Sequence, residues 1–217
     1  MRLLALLGAV ILTVVLLPGG ADARPMDDHG KTRAVITFAK NWAAPDASTI
    51  TWRFDRRQGG QWVTMEEQSW RAGSGMLGKR GRNECTKNVG WLPNGEYGVR
   101  LRTPYRGRLI KGNVLQIDNK PCDRGRGVLR QMLFVHTEQG DGGRQCRNRR
   151  GDDVCRWEFP KFNDYRSYGC IKMAPGDLAA LVRRYREHLR PEVRYPLDQV
   201  VLKVVNGQGR SAKRVAR

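Results

Sequence analysis

No apolar run in the 217-residue sequence reaches the roughly 18–20 residues of a spanning helix, which excludes a multi-span membrane protein. Acidic residues are in the minority, 21 against 40 Lys and Arg, so the formal charge is +19. Histidine is scarce, with three residues in all, and imidazole chemistry has few places to reside. Aromatic residues make up only 8%, yet 40% hydrophobic content is enough for a packed core and excludes a wholly disordered chain. No internal repeat is present. The length fits one domain, or one domain with an appendage. The 25 Gly and 10 Pro favour a turn-rich, strand-rich fold over a helical bundle.

The first 23 residues read as a secretory signal. Arg2 supplies the positive start, and Leu3 to Leu17 is apolar apart from Gly8 and Thr13. Pro18-Gly19-Gly20 breaks the helix, and Ala21-Asp22-Ala23 fits the small-x-small cleavage pattern. The run is short for an uncleaved anchor. Cleavage after Ala23 would leave 217 − 23 = 194 residues, still at +19, because the signal holds one base (Arg2) and one acid (Asp22). The expected location is extracytoplasmic, where cysteines usually pair. There are five, Cys85, Cys122, Cys146, Cys155 and Cys170, so at least one is unpaired or joined to another chain. Charge alone admits nucleic acid, anionic lipid or anionic wall polymer as a partner class.

Residues 24–33 read as a flexible polar leader and residues 206–217 as a disordered basic tail. Strands are predicted at Ala34–Phe38, Thr49–Phe54, Tyr97–Leu101, Asn113–Asp118, Val128–His136 and residues 200–205, with a turn at Gln58-Gly59-Gly60. Residues 73–83 and 138–166 read as loops, the second long, basic and Gly-rich. One clear helix is predicted over 177–190: Asp177 stands at the N-cap, and Leu178, Leu181, Val182, Tyr185 and Leu189 form a stripe. The predicted class is mainly β, or α+β, in one domain over residues 34–205.

His136 follows the most apolar predicted strand, and it is the one histidine of the strand-rich region: His29 lies in the leader and His188 on the helix. Cys170 follows a Ser-Tyr-Gly turn in which Gly169 permits a bend that aims successive N–H groups at one point. A thiol titrates near 8.5 and needs an imidazole or another cation to become a nucleophile at neutral pH. A Cys–His pair, if this chain has one, is Cys170 with His136. A zinc site from His136, Cys146, Cys155 and Cys170 has spacings that match no common zinc pattern.

Phe134-Val135-His136-Thr137, Ser167-Tyr168-Gly169-Cys170-Ile171-Lys172-Met173 and Asp177-Leu178 together resemble the L,D-transpeptidase (YkuD-like) catalytic domain. Upstream, Trp70-Arg71-Ala72-Gly73-Ser74-Gly75 and Leu92-Pro93-Asn94-Gly95-Glu96-Tyr97 resemble that family's Ser-x-Gly and Pro-x-Gly-x-Tyr segments. The likeness spans about residues 34–205. It implies a mixed, β-sandwich-like fold and a secreted, cell-wall-associated bacterial enzyme acting on peptidoglycan stem peptides. It implies Cys170 as nucleophile, His136 as acid and base, and Thr137 orienting His136 through its carbonyl. It further implies an oxyanion hole from the amides of Tyr168, Gly169 and Cys170, and stem contacts from Ser167, Lys172 and Tyr97. No metal, organic cofactor or stable protein partner is implied, and nucleic acid is disfavoured. With Cys170 kept free, the pairing Cys85–Cys122 and Cys146–Cys155 is favoured on locality. Arg144, Arg147, Arg149, Arg150 and the tail would draw the chain to anionic wall polymer.

Two departures stand out. Tyr168 occupies a position where the family usually has His. His136 and Cys170 are 34 positions apart (170 − 136), about twice the usual separation, and the basic loop fills the difference. Two other readings remain: hydrolysis at the same site, as in an L,D-carboxypeptidase, and a non-catalytic basic module that binds wall polymer or nucleic acid. A papain-type peptidase fits poorly, because there the nucleophile precedes the His.

Overall fold

A computed structural model describes residues 30–76, 78–108, 110–137 and 165–207. The signal, most of the leader, the tail, the Cys146–Cys155 pair and nearly all of the basic loop lie outside the described residues.

The chain runs β1 (Thr32–Lys40), β2 (Ser48–Gln58), β3 (Gln61–Ser74), a single helical turn α1 (Gly78–Gly81), β4 (Gly95–Tyr97), β5 (Val99–Arg106) and β6 (Lys111–Ile117). It continues through β7 (Lys120–Pro121), β8 (Leu129–Arg130), β9 (Leu133–His136), β10 (Ile171–Met173), α2 (Pro175–His188) and β11 (Val200–Asn206). Nine strands form one mixed sheet in the order β4-β11-β1-β2-β3-β10-β9-β6-β5, and β7 pairs with β8 as a separate ribbon. This is a mainly β architecture with one substantial helix, as the sequence predicts. Among the described residues, no helix is long and apolar enough to cross a membrane.

The two edge strands of the sheet, β4 and β5, are separated in sequence by Gly98 alone. The sheet must therefore curve until its ends meet. Each strand then turns alternate side chains inward. All nine contribute to one core, including Ile36 and Phe38 of β1, Trp52 of β2, Tyr97 of β4, Val135 of β9 and Ile171 of β10. Helix α2 fills the same core with Leu178, Leu181, Val182 and Tyr185, its predicted stripe. At roughly 1.5–3 kcal/mol for each large apolar side chain buried, that stripe is what holds the helix on the sheet.

Local chemistry explains the boundaries. Gly59 and Gly60, with φ of +56° and +83°, make the two-residue turn of the β2–β3 hairpin. Gly98 interrupts the predicted Tyr97–Leu101 strand, its N–H bound to Asp118 Oδ2 at 3.0 Å. Met132, at φ +54°, splits the predicted Val128–His136 strand into β8 and β9. The predicted 73–83 loop begins inside β3 and contains α1. The helix starts two residues before the predicted N-cap, with Ala174 at the cap and Pro175 next; Asp177 lies inside the first turn.

Candidate active site

Strands β9 and β10 are parallel neighbours, with Ile171 opposite Val135 and Lys172 opposite His136. Val135 and Ile171 face the core. By alternation Phe134, His136, Cys170 and Lys172 share the opposite face. There Phe134 and Cys170 pack with Val114, flanked by Tyr105 and Ile110. The two residues singled out from opposite ends of a long loop thus come to one face of the sheet, His136 at the end of β9 and Cys170 immediately before its parallel neighbour β10.

His136 is buried, at 5% exposure, and its Nδ1 meets the Thr137 carbonyl at 3.2 Å. A carbonyl only accepts, so the contact requires the proton on Nδ1, and in the neutral ring Nε2 is then the basic nitrogen. Cys170 is free of any disulfide and 8% exposed. Its Sγ donates to the Met132 carbonyl at 3.6 Å. Burial pushes the thiol up to about 11, against opposing pulls from a Phe134 main-chain hydrogen bond and the Arg130 charge.

The Ser167–Cys170 turn is docked by the segment that resembled Ser-x-Gly. Ser74 Oγ donates to the Gly169 carbonyl at 3.2 Å and accepts from Leu92 N–H at 3.1 Å. Ser167 and Gly75 exchange two bonds: Ser167 N–H to the Gly75 carbonyl at 3.1 Å, and Gly75 N–H to Ser167 Oγ at 3.2 Å. Gly73 lets Tyr165 lie against the sheet where any Cβ would collide with it. Gly169 adopts φ +110°, a region suited to glycine.

Predicted site residues fall in different places. Thr137 does present its carbonyl to His136. Ser167 Oγ is engaged within its own turn, donating to the Cys170 carbonyl at 2.5 Å and accepting from Gly169 N–H at 3.2 Å. The Gly169 amide is therefore committed in this state. Lys172 is buried directly across from His136. Tyr168 is 51% exposed. It borders a cleft of about 300 Å³ with Lys87, Val128, Leu129, Arg130 and Met132. Tyr97 departs from expectation as a stem contact: it is a core residue, 1% exposed, with its hydroxyl on the Pro93 carbonyl at 2.6 Å. The Pro-x-Gly-x-Tyr likeness marks a buried anchor here.

The predicted Cys85–Cys122 disulfide is present. Sequence reading missed Arg130, a buried guanidinium beneath the turn. A lone Arg in the run Gly127-Val128-Leu129-Arg130 carries no sequence signal that separates it from the other bases.

No family model matches the chain, and no curated protein matches it. A solved structure, that of Bd1075 from Bdellovibrio bacteriovorus, aligns with a TM-score of 0.43 and 13% identity, over 83% of this chain and 50% of that one. The chain thus spans about half the length of that protein.

Proposed function

We propose that this chain is a secreted cysteine acyltransferase of the L,D-transpeptidase type, acting on peptidoglycan stem peptides. One observation carries the reading: Cys170, the residue that leads into β10, and His136 of the parallel neighbour β9 alternate onto one face of the sheet, and the Thr137 carbonyl at His136 Nδ1 selects the tautomer whose basic nitrogen is Nε2. Cys170 would pass its proton to His136 and attack the carbonyl of the stem's diamino acid. The S–C bond forms, the peptide C–N bond breaks, and His136 returns the proton to the departing D-amino acid. Amides of the 168–170 turn would hold the oxyanion, each worth roughly 10²–10³ in rate. Gly169 N–H joins them once it leaves Ser167. An acceptor amine from a second stem resolves the thioester; water in its place gives a carboxypeptidase. The disulfide is compatible with an extracytoplasmic setting. The basic surface suits anionic wall polymer.

Purified chain incubated with a tetrapeptide stem and an amine acceptor tests this. We expect release of the terminal D-amino acid and a cross-linked product, both absent from Cys170→Ala. Stem left intact by folded wild type would contradict it. That outcome would favour the second reading, a basic binding module with an inert thiol, which the buried and high-titrating state of Cys170 supports.

A further inference from the structure

Arg130 is 3% exposed. Its guanidinium donates to four carbonyls: Glu84 at 2.5 Å, Gly90 at 3.0 Å, Trp91 at 3.1 Å and Tyr168 at 3.3 Å. It lies so close beneath Gly169 that a Cβ on that residue would overlap it. Arg remains protonated in proteins, so this is a permanent buried charge. Such charges are ordinarily paired, because leaving water costs several kcal/mol. Yet no carboxylate is in salt-bridge contact with Arg130 among the described residues. Glu84, whose charge also favours the protonated guanidinium, gives its carboxylate to Lys40 Nζ at 2.9 Å and to Asn94 N–H at 3.3 Å. What lies beside the guanidinium instead is the turn that carries the one described free thiol. Burial pulls the guanidinium below its ordinary value, opposed by the Cys170, Tyr97 and Glu84 charges, and the Arg130 charge in turn favours the thiolate.

We propose that Arg130 is a positioning residue of the Cys170 site, whose buried cation lies against the turn that carries Cys170 and stabilises its thiolate, and whose hydrogen bond to the Tyr168 carbonyl sets the direction of the turn's amides. When Cys170 is activated, the S–H bond breaks, the proton passes to His136 Nε2 and the electron pair stays on sulfur. The new anion then shares its face of the sheet with the His136 imidazolium and buried Lys172, and Arg130 lies beneath the turn. The fork of Arg130 keeps the peptide planes at 168–170 oriented while this happens. The proposal deepens the acyltransferase reading and rests on Cys170 being the working nucleophile.

The test is the pH profile of Cys170 alkylation by iodoacetamide in wild type, Arg130→Gln and Arg130→Lys, each checked for fold by circular dichroism. Alkylation reads thiolate directly and needs no substrate. In Arg130→Gln we expect the profile to move to higher pH by about one unit or more, since a cation has been removed from a low-dielectric neighbourhood. In Arg130→Lys, which keeps the charge but not the fork, we expect the profile to stay near wild type while the rate of acylation by a stem peptide falls about tenfold or more. A folded Arg130→Gln variant with an unmoved profile overturns the proposal. If that variant does not fold, Arg130→Lys decides alone: a profile displaced upward by a full unit would show that charge at this position does not set the thiol. Wild type that forms the acyl adduct while both variants keep its profile would leave the enzyme reading standing and remove Arg130 from it. Displaced profiles in a chain that never acylates would do the reverse.

Discussion

At Cys170 two opposing influences meet. Burial just before β10 raises the thiol to about 11, while a main-chain bond from Phe134 and the Arg130 charge lower it. The resting group is the thiol, and its hydrogen lies on the Met132 carbonyl. A stability consequence follows, with a definite sign. The folded-state value lies above that of an exposed thiol, so the fold holds the proton longer than the unfolded chain does. That contribution is present below about pH 9 and is lost as pH climbs towards 11. Denaturant melts of wild type should therefore weaken more steeply between pH 9 and 11 than those of Cys170→Ala, by an amount of order 2 kcal/mol. The buried hydroxyls of Tyr97 and Tyr185 are pushed up in the same direction, but both proteins share them and the difference isolates the thiol. Parallel curves would show that Cys170 titrates normally. His136 shares this face of the sheet, its Nδ1 at 3.2 Å from the Thr137 carbonyl.

The elements decide whether those residues meet. Strands β9 and β10 are short, at four and three residues, and each is pinned from outside: β9 by β6, β10 by β3. The Ser167–Cys170 turn enters β10 across Gly73, Ser74 and Gly75 at the end of β3. Beneath it, Arg130 joins the turn to the Glu84–Trp91 segment. The Cys85–Cys122 bond, between residues 37 apart in sequence, ties that segment to the β7–β8 ribbon. Gly169 is where these constraints converge. An alanine there would face both a φ of +110° and the Arg130 guanidinium, with the Gly90 carbonyl 2.9 Å from its Cβ. We expect Gly169→Ala to cost about 2–5 kcal/mol, read as a fall in Tm of roughly 5–15 °C, and to abolish acylation. An unchanged Tm would mean that the turn is not built as described.

Over the whole molecule, the sequence was informative wherever a local rule applied. The double glycine of the β2–β3 turn, the alternation in β1 and the helical stripe of α2 each obey a short-range periodicity, so their existence was readable. Their ends were not, because Gly98, Met132 and Pro175 set boundaries through tertiary hydrogen bonds and backbone geometry that no periodic pattern encodes. Closure of the sheet at Gly98 is likewise a property of strand order. At the site, residue type and turn chemistry pointed to His136 and Cys170, while Tyr97 was misread because a motif position does not reveal which way a side chain faces. Arg130 was illegible for a related reason: its meaning comes from four carbonyls, each 38 to 46 residues away in sequence.

The central claim is that the fold activates one cysteine towards acyl donors. Intact-mass spectrometry of residues 24–217 under non-reducing conditions, with and without a carbapenem, tests it most directly. We expect one covalent adduct per chain, at Cys170, with the Cys85–Cys122 disulfide retained and no adduct in Cys170→Ala or, on the same timescale, in His136→Ala. A folded wild-type chain with Cys170 reduced and unmodified, or an adduct that survives in Cys170→Ala, would contradict it.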